Sequence, residues 1–393
     1  MNEQALTGNW NYPTQIKFGA GCINQLSDTC KALNIQNPLI VTDNGLTNLA
    51  WFKDIVNHLQ QNQIPAAVFS DVQPNPTGEN IEQGVGVFNQ GNHDGIIAIG
   101  GGSGLDAGKA IAFMCKQQLP IWEYEDIGDN FLKAEEKLIA PIIAIPTTSG
   151  TGSEVGRASV IVDTQSDSKK LIFHPKMLPS VVIADPVLTQ GLPPHITAAT
   201  GMDAFVHSFE AYCAPGFHPM ADGIALQSMK LVKENLKQAT HQGDDLSARA
   251  NMMVASTMGA TAFQKGLGGV HALAHPLGAH YNAHHGLLNA ILLPYVIERN
   301  KPAIEQKVAE LAHYLHITPA TYQGFMDWLI DFEQQLNLPS NLSSINIGEI
   351  NIDTQKAELI GKKAAKDPSA STNPIALTAD DYRQIFIQAV EGK

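Results

Sequence analysis

The chain of 393 residues is too long for one hydrophobic core, which stops growing near about 250–300 residues, so two domains are expected. Its composition is that of a globular protein, 44% apolar and 16% charged. A net charge of −13 argues against a nucleic-acid partner and against an anionic membrane surface, both of which need clustered Lys and Arg.

No basic region followed by an apolar stretch opens the sequence, and no apolar run approaches the roughly 18–20 residues that span a bilayer. Cys22, Cys30, Cys115 and Cys213 show neither CxxC spacing nor the density of a disulfide scaffold, which fits a reducing compartment. A cytoplasmic location is the expectation.

The first half alternates strand and helix patterns. Residues 37–43 read as a buried strand, 46–62 as a helix, 66–72 as a strand and 74–78 as a turn. A helix over 79–91 precedes a strand and glycine loop at 94–104, and a helix follows at about 105–117. A strand with a polar loop behind it covers 140–154, and two further apolar runs, 159–164 and 180–186, close the region. Continuous apolar strands separated by such helical patterns predict a parallel sheet covered on both faces.

After about residue 190 helical periodicity takes over, at 196–213, 219–239, 246–264, 268–275, 285–299, 302–315, 320–336 and 377–391. The paired prolines of "GLPPH" (191–195) mark a hinge. The expected organisation is an α/β N-terminal domain over 1–190 and an all-helical C-terminal domain over 191–393.

Three features of the first half suit a dinucleotide. "IGGGSGLDAGKA" (99–110) follows a strand and opens a helix, where glycines admit close approach and unpaired N–H groups face an anion. "GSGLDA" satisfies the G-x-G-x-x-G/A pattern only loosely. "PTTSGTGSE" (146–154) offers hydroxyls behind a second strand. Asp43 ends "LIVTD", where a carboxylate can take ribose hydroxyls and favour NAD over NADP, or merely begin a turn before Asn44 and Gly45.

The second half suits a metal. Asp203 and His207 stand four apart on a predicted helix, so both can face one ion. His271 and His275 repeat that spacing, Pro276 ends or kinks their helix, and His284 and His285 begin the next. Residues 269–286 thus hold five of the chain's 14 histidines, and spacing does not select among them. Three imidazoles and a carboxylate would suit Fe(II), Zn(II), Ni(II) or Co(II) better than Mg or Ca.

Taken together, these motifs resemble the iron-containing (group III) alcohol dehydrogenase family. The resemblance runs from "YPTQIKFGAG" (12–21) and "PNPT" (74–77) through "GGGSGLDAGK" (100–109), "IPTTSGTGSEV" (145–155) and "DPVLT" (185–189). It continues in "DAFVH" (203–207), "GLGGVHALAHPLGA" (266–279), "HHGLLNAILLPYV" (284–296) and "STNPIALTADD" (371–381). It implies a dehydroquinate synthase-like architecture, a dinucleotide-binding domain and a helical domain with one divalent metal in the cleft between them.

The ligands so implied are Asp203, His207, His271 and His285. His275 matches a histidine near the metal and nicotinamide that is not a ligand, and it is the candidate proton relay. His280 and His284 match no required position. The implied cofactor contacts are Asp43 at the ribose, Gly102 and Ser103 at the pyrophosphate with Asn75 close by, and Thr147, Thr148 and Thr151 along the nucleotide. Lys169 is similar to a ribose-contacting lysine, and Leu188 lies in the segment near the adenosine.

The implied activity is NAD-dependent interconversion of a small primary alcohol and its aldehyde, with Fe(II), or Zn or Ni, as Lewis acid and hydride passing to the nicotinamide. A homodimer is implied as well. "AFQKGLGGVH" (262–271) is one residue shorter than in several members and carries Lys265. A Lys265 facing the cleft would favour a hydroxy acid or semialdehyde; otherwise it is a solvated lysine. Competing readings are a glycerol-dehydrogenase-like zinc enzyme, a dehydroquinate-synthase-like lyase and a non-enzymatic metal-binding protein. The lyase needs basic residues that the helical half lacks near its histidines, and mere metal binding leaves both loops and Asp43 without purpose.

Overall fold

A computed structural model describes residues 10–166, 168–345 and 354–392. Among the described residues two compact units emerge, one of Tyr12–Thr148 with Gly152–Gly191, the other of those from Leu192 onward with Ser149–Thr151, Trp10 and Asn11.

The first unit is built on strands β1 (Gln15–Phe18), β2 (Pro38–Val41), β3 (Ala67–Phe69), β4 (Gly95–Gly100), β5 (Ile142–Pro146) and β8 (Val181–Ala184). They form one six-stranded sheet in the order β1-β8-β5-β4-β2-β3, every pairing parallel. The expected parallel sheet is therefore present. From β2 the chain steps outward to β3, then returns past β2 to β4, β5 and β8, so the order reverses between β2 and β4. That reversal opens the crevice at the carboxyl ends of the strands where ligands of such sheets bind.

Both faces of the sheet are covered, which is why its strands read as unbroken apolar runs. Ile97, Ile99, Ile143, Ile145 and Ile183 pack against Leu26 and Cys30 of α1 (Leu26–Ala32) and Phe52, Ile55 and Leu59 of α3 (Ala50–Gln61). On the opposite face lies α5 (Gly102–Met114), where a Cβ on Gly108 would meet that of Ala98 at 2.5 Å. Only glycine lets this helix lie so close to β4.

Several expected bounds shift. The 46–62 helix is divided into α2 (Asn44–Thr47) and α3, while α4 (Gly78–Gln90) closely matches its pattern. α5 begins three residues early, so the glycine run is largely the first helical turn. The run at 159–164 lies outside the parallel sheet: β6 (Ala158–Asp163) pairs antiparallel with β7 (Ser168–Phe173), a strand that the sequence pattern missed along with β1 and α1.

The second unit contains no strand among its described residues. Its helices are α6 (Pro194–Cys213), α7 (Pro219–His241), α8 (Leu246–Ala262), α9 (Gly269–Tyr281), α10 (His285–Tyr314), α11 (Tyr322–Gln335), α12 (Thr354–Ala364) and α13 (Ala379–Glu391). Every residue of α6 from Thr197 to Cys213 is buried. A helix enclosed on all sides is a core element, and polar groups on it must find partners.

Two expected helix ends are corrected. Pro276 does not end its helix, because α9 runs on to Tyr281 and stops at Asn282, whose φ of 49° is left-handed. Pro302 does not separate two helices either: α10 is continuous over 30 residues through Pro294 and Pro302. Proline removes one hydrogen bond from a helix interior, a loss of about 3 kcal/mol that tertiary packing can override. Buried apolar side chains of α10 lie on both sides of those prolines, Leu288, Ile291, Leu292 and Leu293 before them, Val296 and Ile297 between them, and Ile304, Val308 and Leu311 after. α12 escaped the sequence reading.

All four cysteines are buried and free, as expected. In the β6–β7 hairpin, burial raises the Asp163 carboxyl. Hydrogen bonds from Ser166, Lys170 and Gln165 and the Lys170 charge outweigh that and hold it near 2, below its ordinary 3.8. A depressed carboxyl contributes stability that is complete above its unfolded value and is lost as pH falls through the folded one. Acid unfolding followed by circular dichroism should therefore show Asp163→Asn losing less stability than the parent between about pH 4 and 2, while being less stable near neutrality. Parallel curves would refute this account.

Candidate active site

Four side chains from three helices converge in the helical unit. Asp203 and His207 stand one turn apart on α6, His271 lies on the first turn of α9, and His285 opens α10. Their donor atoms all lie within 4.8 Å of one another. Oδ1 of Asp203 is 3.9 Å from Nε2 of His207, 4.0 Å from Nε2 of His271 and 3.7 Å from Nε2 of His285. A cation held at 2.0–2.2 Å by each donor keeps any two of them within about 4.4 Å, so these three separations fit one ion.

Close helix packing sets the geometry. A Cβ on Gly286 would lie 2.4 Å from the Ala199 carbonyl oxygen of α6 and 3.1 Å from Cβ of Asp203. The missing side chain brings the start of α10, and His285 with it, onto the Asp203 face of α6.

A second layer fixes the imidazoles. Glu210, two turns beyond Asp203 on α6, accepts hydrogen bonds from the amides of Gly268 at 2.9 Å and Val270 at 2.7 Å, and from Nδ1 of His271 at 2.7 Å. One carboxyl group thus caps the positive end of α9 and directs the proton of His271 to Nδ1, leaving the Nε2 lone pair toward the cluster. Burial pushes the Glu210 carboxyl up to about 7 against those amides, and burial followed by the His207 charge holds His271 well below its ordinary value. Nδ1 of His207 meets the Gly150 carbonyl at 3.3 Å.

His275 stands beside the cluster. Its ring stacks on that of His285 at 5.5 Å, and Nδ1 meets Oδ2 of Asp367 at 2.8 Å. Burial raises Asp367, but the His275 charge and bonds from His275 and Ser369 hold it below the usual carboxylate range. Asn373, in the same segment, accepts from the Gly269 amide at 2.9 Å and exchanges hydrogen bonds with Asn300. His280 and His284 are exposed, and His284 caps α10 by accepting from the Leu287 amide.

Lys265 corrects both of its readings. Its side chain is 3% exposed, and Nζ meets Oδ1 of Asp222 at 2.5 Å, so it is neither a solvated lysine nor a cation free for a substrate.

In the α/β unit, most of the expected cofactor positions cluster at the carboxyl ends of β2, β4 and β5. The Asp43 carboxylate lies beside Gly100, and the Thr148 side chain lies against Gly101. The amide of Thr147 donates to the Gly100 carbonyl at 2.9 Å. Ser103, on the first turn of α5 after Gly102, donates its hydroxyl to the Pro74 carbonyl, which holds the segment bearing Asn75 at that helix end. Thr151 falls in the other unit, Lys169 pairs with Val162 in the β6–β7 hairpin, and Leu188 is buried in the core with Ile183.

Sequence reasoning missed Glu210, Asn289, Asp367 and the buried Lys109. Lys109 pairs with Asp106 at 3.1 Å and donates to the Ser153 carbonyl at 3.0 Å, tying α5 to the loop behind β5. For Glu210 a signal existed, since it continues the Asp203–His207 face at i+7 and i+3. Asp367 is distant in sequence from its partner and offered none.

Two family models match, iron-containing alcohol dehydrogenase over residues 13–186 and the Fe-containing alcohol dehydrogenase family C-terminal domain over 197–390. A 4-hydroxybutyrate dehydrogenase of Cupriavidus necator is 37% identical over 96% of this chain and 99% of its own. An NAD-dependent methanol dehydrogenase of Bacillus methanolicus is 33% identical over 97% and 100%. A crystal structure of 1,3-propanediol oxidoreductase superposes with a TM-score of 0.90 at 33% identity, covering 98% of this chain and 100% of that one. The chain belongs to the iron-containing alcohol dehydrogenase family and is an oxidoreductase.

Removing Glu210 leaves two amides and an imidazole donor unpaired in the interior. Glu210→Ala should cost about 3–5 kcal/mol in denaturant unfolding of the metal-free protein. Glu210→Gln should cost less, because its carbonyl oxygen still accepts from an amide. Equal midpoints for parent and both variants would refute the role.

Proposed function

We propose that the chain is an NAD-dependent, divalent-metal-dependent alcohol dehydrogenase that interconverts a small primary alcohol and its aldehyde, acting as a cytoplasmic homodimer. The observation that carries the metal dependence is the approach of three imidazole Nε2 atoms to one oxygen of Asp203. Residues 1–190 form the dinucleotide-binding domain and 191–393 the metal and substrate domain in this reading. Fe(II) is the favoured ion, with Zn and Ni as alternatives that the same nitrogen-rich donor set accommodates.

Asp203, His207, His271 and His285 hold the cation. When bound, it supplies Lewis-acid polarisation of the substrate oxygen, and NAD supplies the hydride acceptor. Glu210 keeps the His271 Nε2 lone pair available by taking the Nδ1 proton. His275 relays the alcohol proton outward: with Nδ1 engaged by Asp367, its Nε2 is the end that accepts one. Asp43 takes the adenosine ribose, Gly102, Ser103 and Asn75 the pyrophosphate, and Thr147, Thr148 and Thr151 the rest of the nucleotide, with Lys169 and Leu188 flanking it.

The named substrates of the relatives, 4-hydroxybutyrate, methanol and 1,3-propanediol, all carry a primary hydroxyl, and two of the three are uncharged, which supports a short primary alcohol. The Lys265–Asp222 pair withdraws one cation that could have recognised a carboxylate, which favours an uncharged alcohol over a hydroxy acid such as 4-hydroxybutyrate in this reading.

Absorbance at 340 nm with a panel of primary alcohols, 4-hydroxybutyrate and the matching aldehydes tests this reading alongside elemental analysis. NAD-linked turnover should vanish on exhaustive chelation and return with Fe(II); full activity after chelation sinks it. Asp43→Gly should raise the NADP to NAD ratio of kcat/KM by roughly tenfold, equivalent to relieving about 1.4 kcal/mol of repulsion of the 2′-phosphate.

A further inference from the structure

Asn289 is fully buried on α10, one turn beyond His285. Its amide nitrogen lies 2.7 Å from Oδ1 of Asp203 and 3.2 Å from Nε2 of both His271 and His285. Three of the four convergent donor atoms are therefore within hydrogen-bond reach of one NH2 group. The Asn289 carbonyl oxygen, buried as well, has no hydrogen-bond partner. Buried polar atoms are nearly always paired, so this orphaned oxygen marks an amide oriented by the contacts of its NH2 group.

We infer that Asn289 is a positioning residue of the metal centre: its amide fixes the Asp203 carboxylate by occupying one lone pair of Oδ1 and leaving the other for the cation. The chemistry requires such a group. A carboxylate 1% exposed cannot rely on water to hold its rotamer, and its two oxygens are otherwise interchangeable. Of the groups around it, the Asn289 amide is a donor whatever the tautomers of the imidazoles. Its place on the same helix as His285 also couples the two sides: the turn that presents the imidazole presents the donor that orients the carboxylate opposite. The alternation of His285 and Asn289 at i and i+4 is the spacing already seen for Asp203 and His207.

This inference rests on the metal-binding reading above, and the test keeps the two apart. Asn289→Leu keeps the branched heavy-atom skeleton with bulkier tips and removes the donor, whereas Asn289→Ser keeps a shorter donor. Zn(II) dissociation constants, by chelator competition on the full chain, and the visible spectrum of the Co(II)-loaded protein are compared with the parent. Zn(II) affinity should fall roughly 10–100-fold in Asn289→Leu, with a changed Co(II) spectrum, and less in Asn289→Ser. Should Asn289→Leu fail to fold, the intermediate loss in Asn289→Ser alone carries the comparison. A parent that binds neither ion overturns the metal reading. A parent that binds while its variants stay within threefold and share its spectrum overturns the role of Asn289.

Discussion

The arrangement of the helical unit depends on one buried carboxyl group. Glu210 sits on a helix enclosed by protein, where an unpaired acid would cost several kcal/mol. Its partners are the amides of Gly268 and Val270 at the start of α9 and the imidazole of His271 in that same first turn. The same contact therefore satisfies the acid, caps the helix and sets the tautomer of His271. Remove it and three polar groups become orphans together.

Around that contact the polar groups form two layers. Asp203, His207, His271 and His285 converge on one point, and behind them stand Glu210, Gly150, Asn289 and, through His275, Asp367. Two of the imidazoles that turn Nε2 inward are held from behind at Nδ1, His271 by a carboxyl and His207 by a carbonyl. The C-terminal segment from Asp367 to Asn373 contributes to both His275 and the start of α9, so residues far along the chain share in shaping the centre.

Much of this was legible in the sequence where periodicity and chemistry coincide. The unbroken apolar runs of β2, β4 and β5 announce strands buried on both faces, and the i, i+4 pair Asp203–His207 announces a shared helix face. Helix bounds near two prolines were drawn too short, at 275 and at 299–302, because the local cost of Pro276 and Pro302 was outweighed by burial along α9 and α10. β7 was hidden by its charge: "SKKLIF" reads as polar, yet its strand is stabilised by pairing with β6. Lys265 could not be read at all without Asp222, which stands on another helix. Spacing alone could not choose among five histidines, since that choice is made by which helix start meets α6.

The centre draws its parts from position 203 to position 285, on helices that must dock before the parts meet. In the unfolded chain only Asp203 and His207 are neighbours, and then only if a turn of helix forms. An ion that prefers the assembled set therefore acts as a ligand of the folded state alone, raising its apparent stability with concentration by mass action. During synthesis the sequence of the α/β unit is complete before His271 is added, so the full set cannot form until the chain has reached His285 in the helical unit. If the four residues hold a metal as proposed, the concentration of the ion would set the apparent stability of the protein as well as its activity.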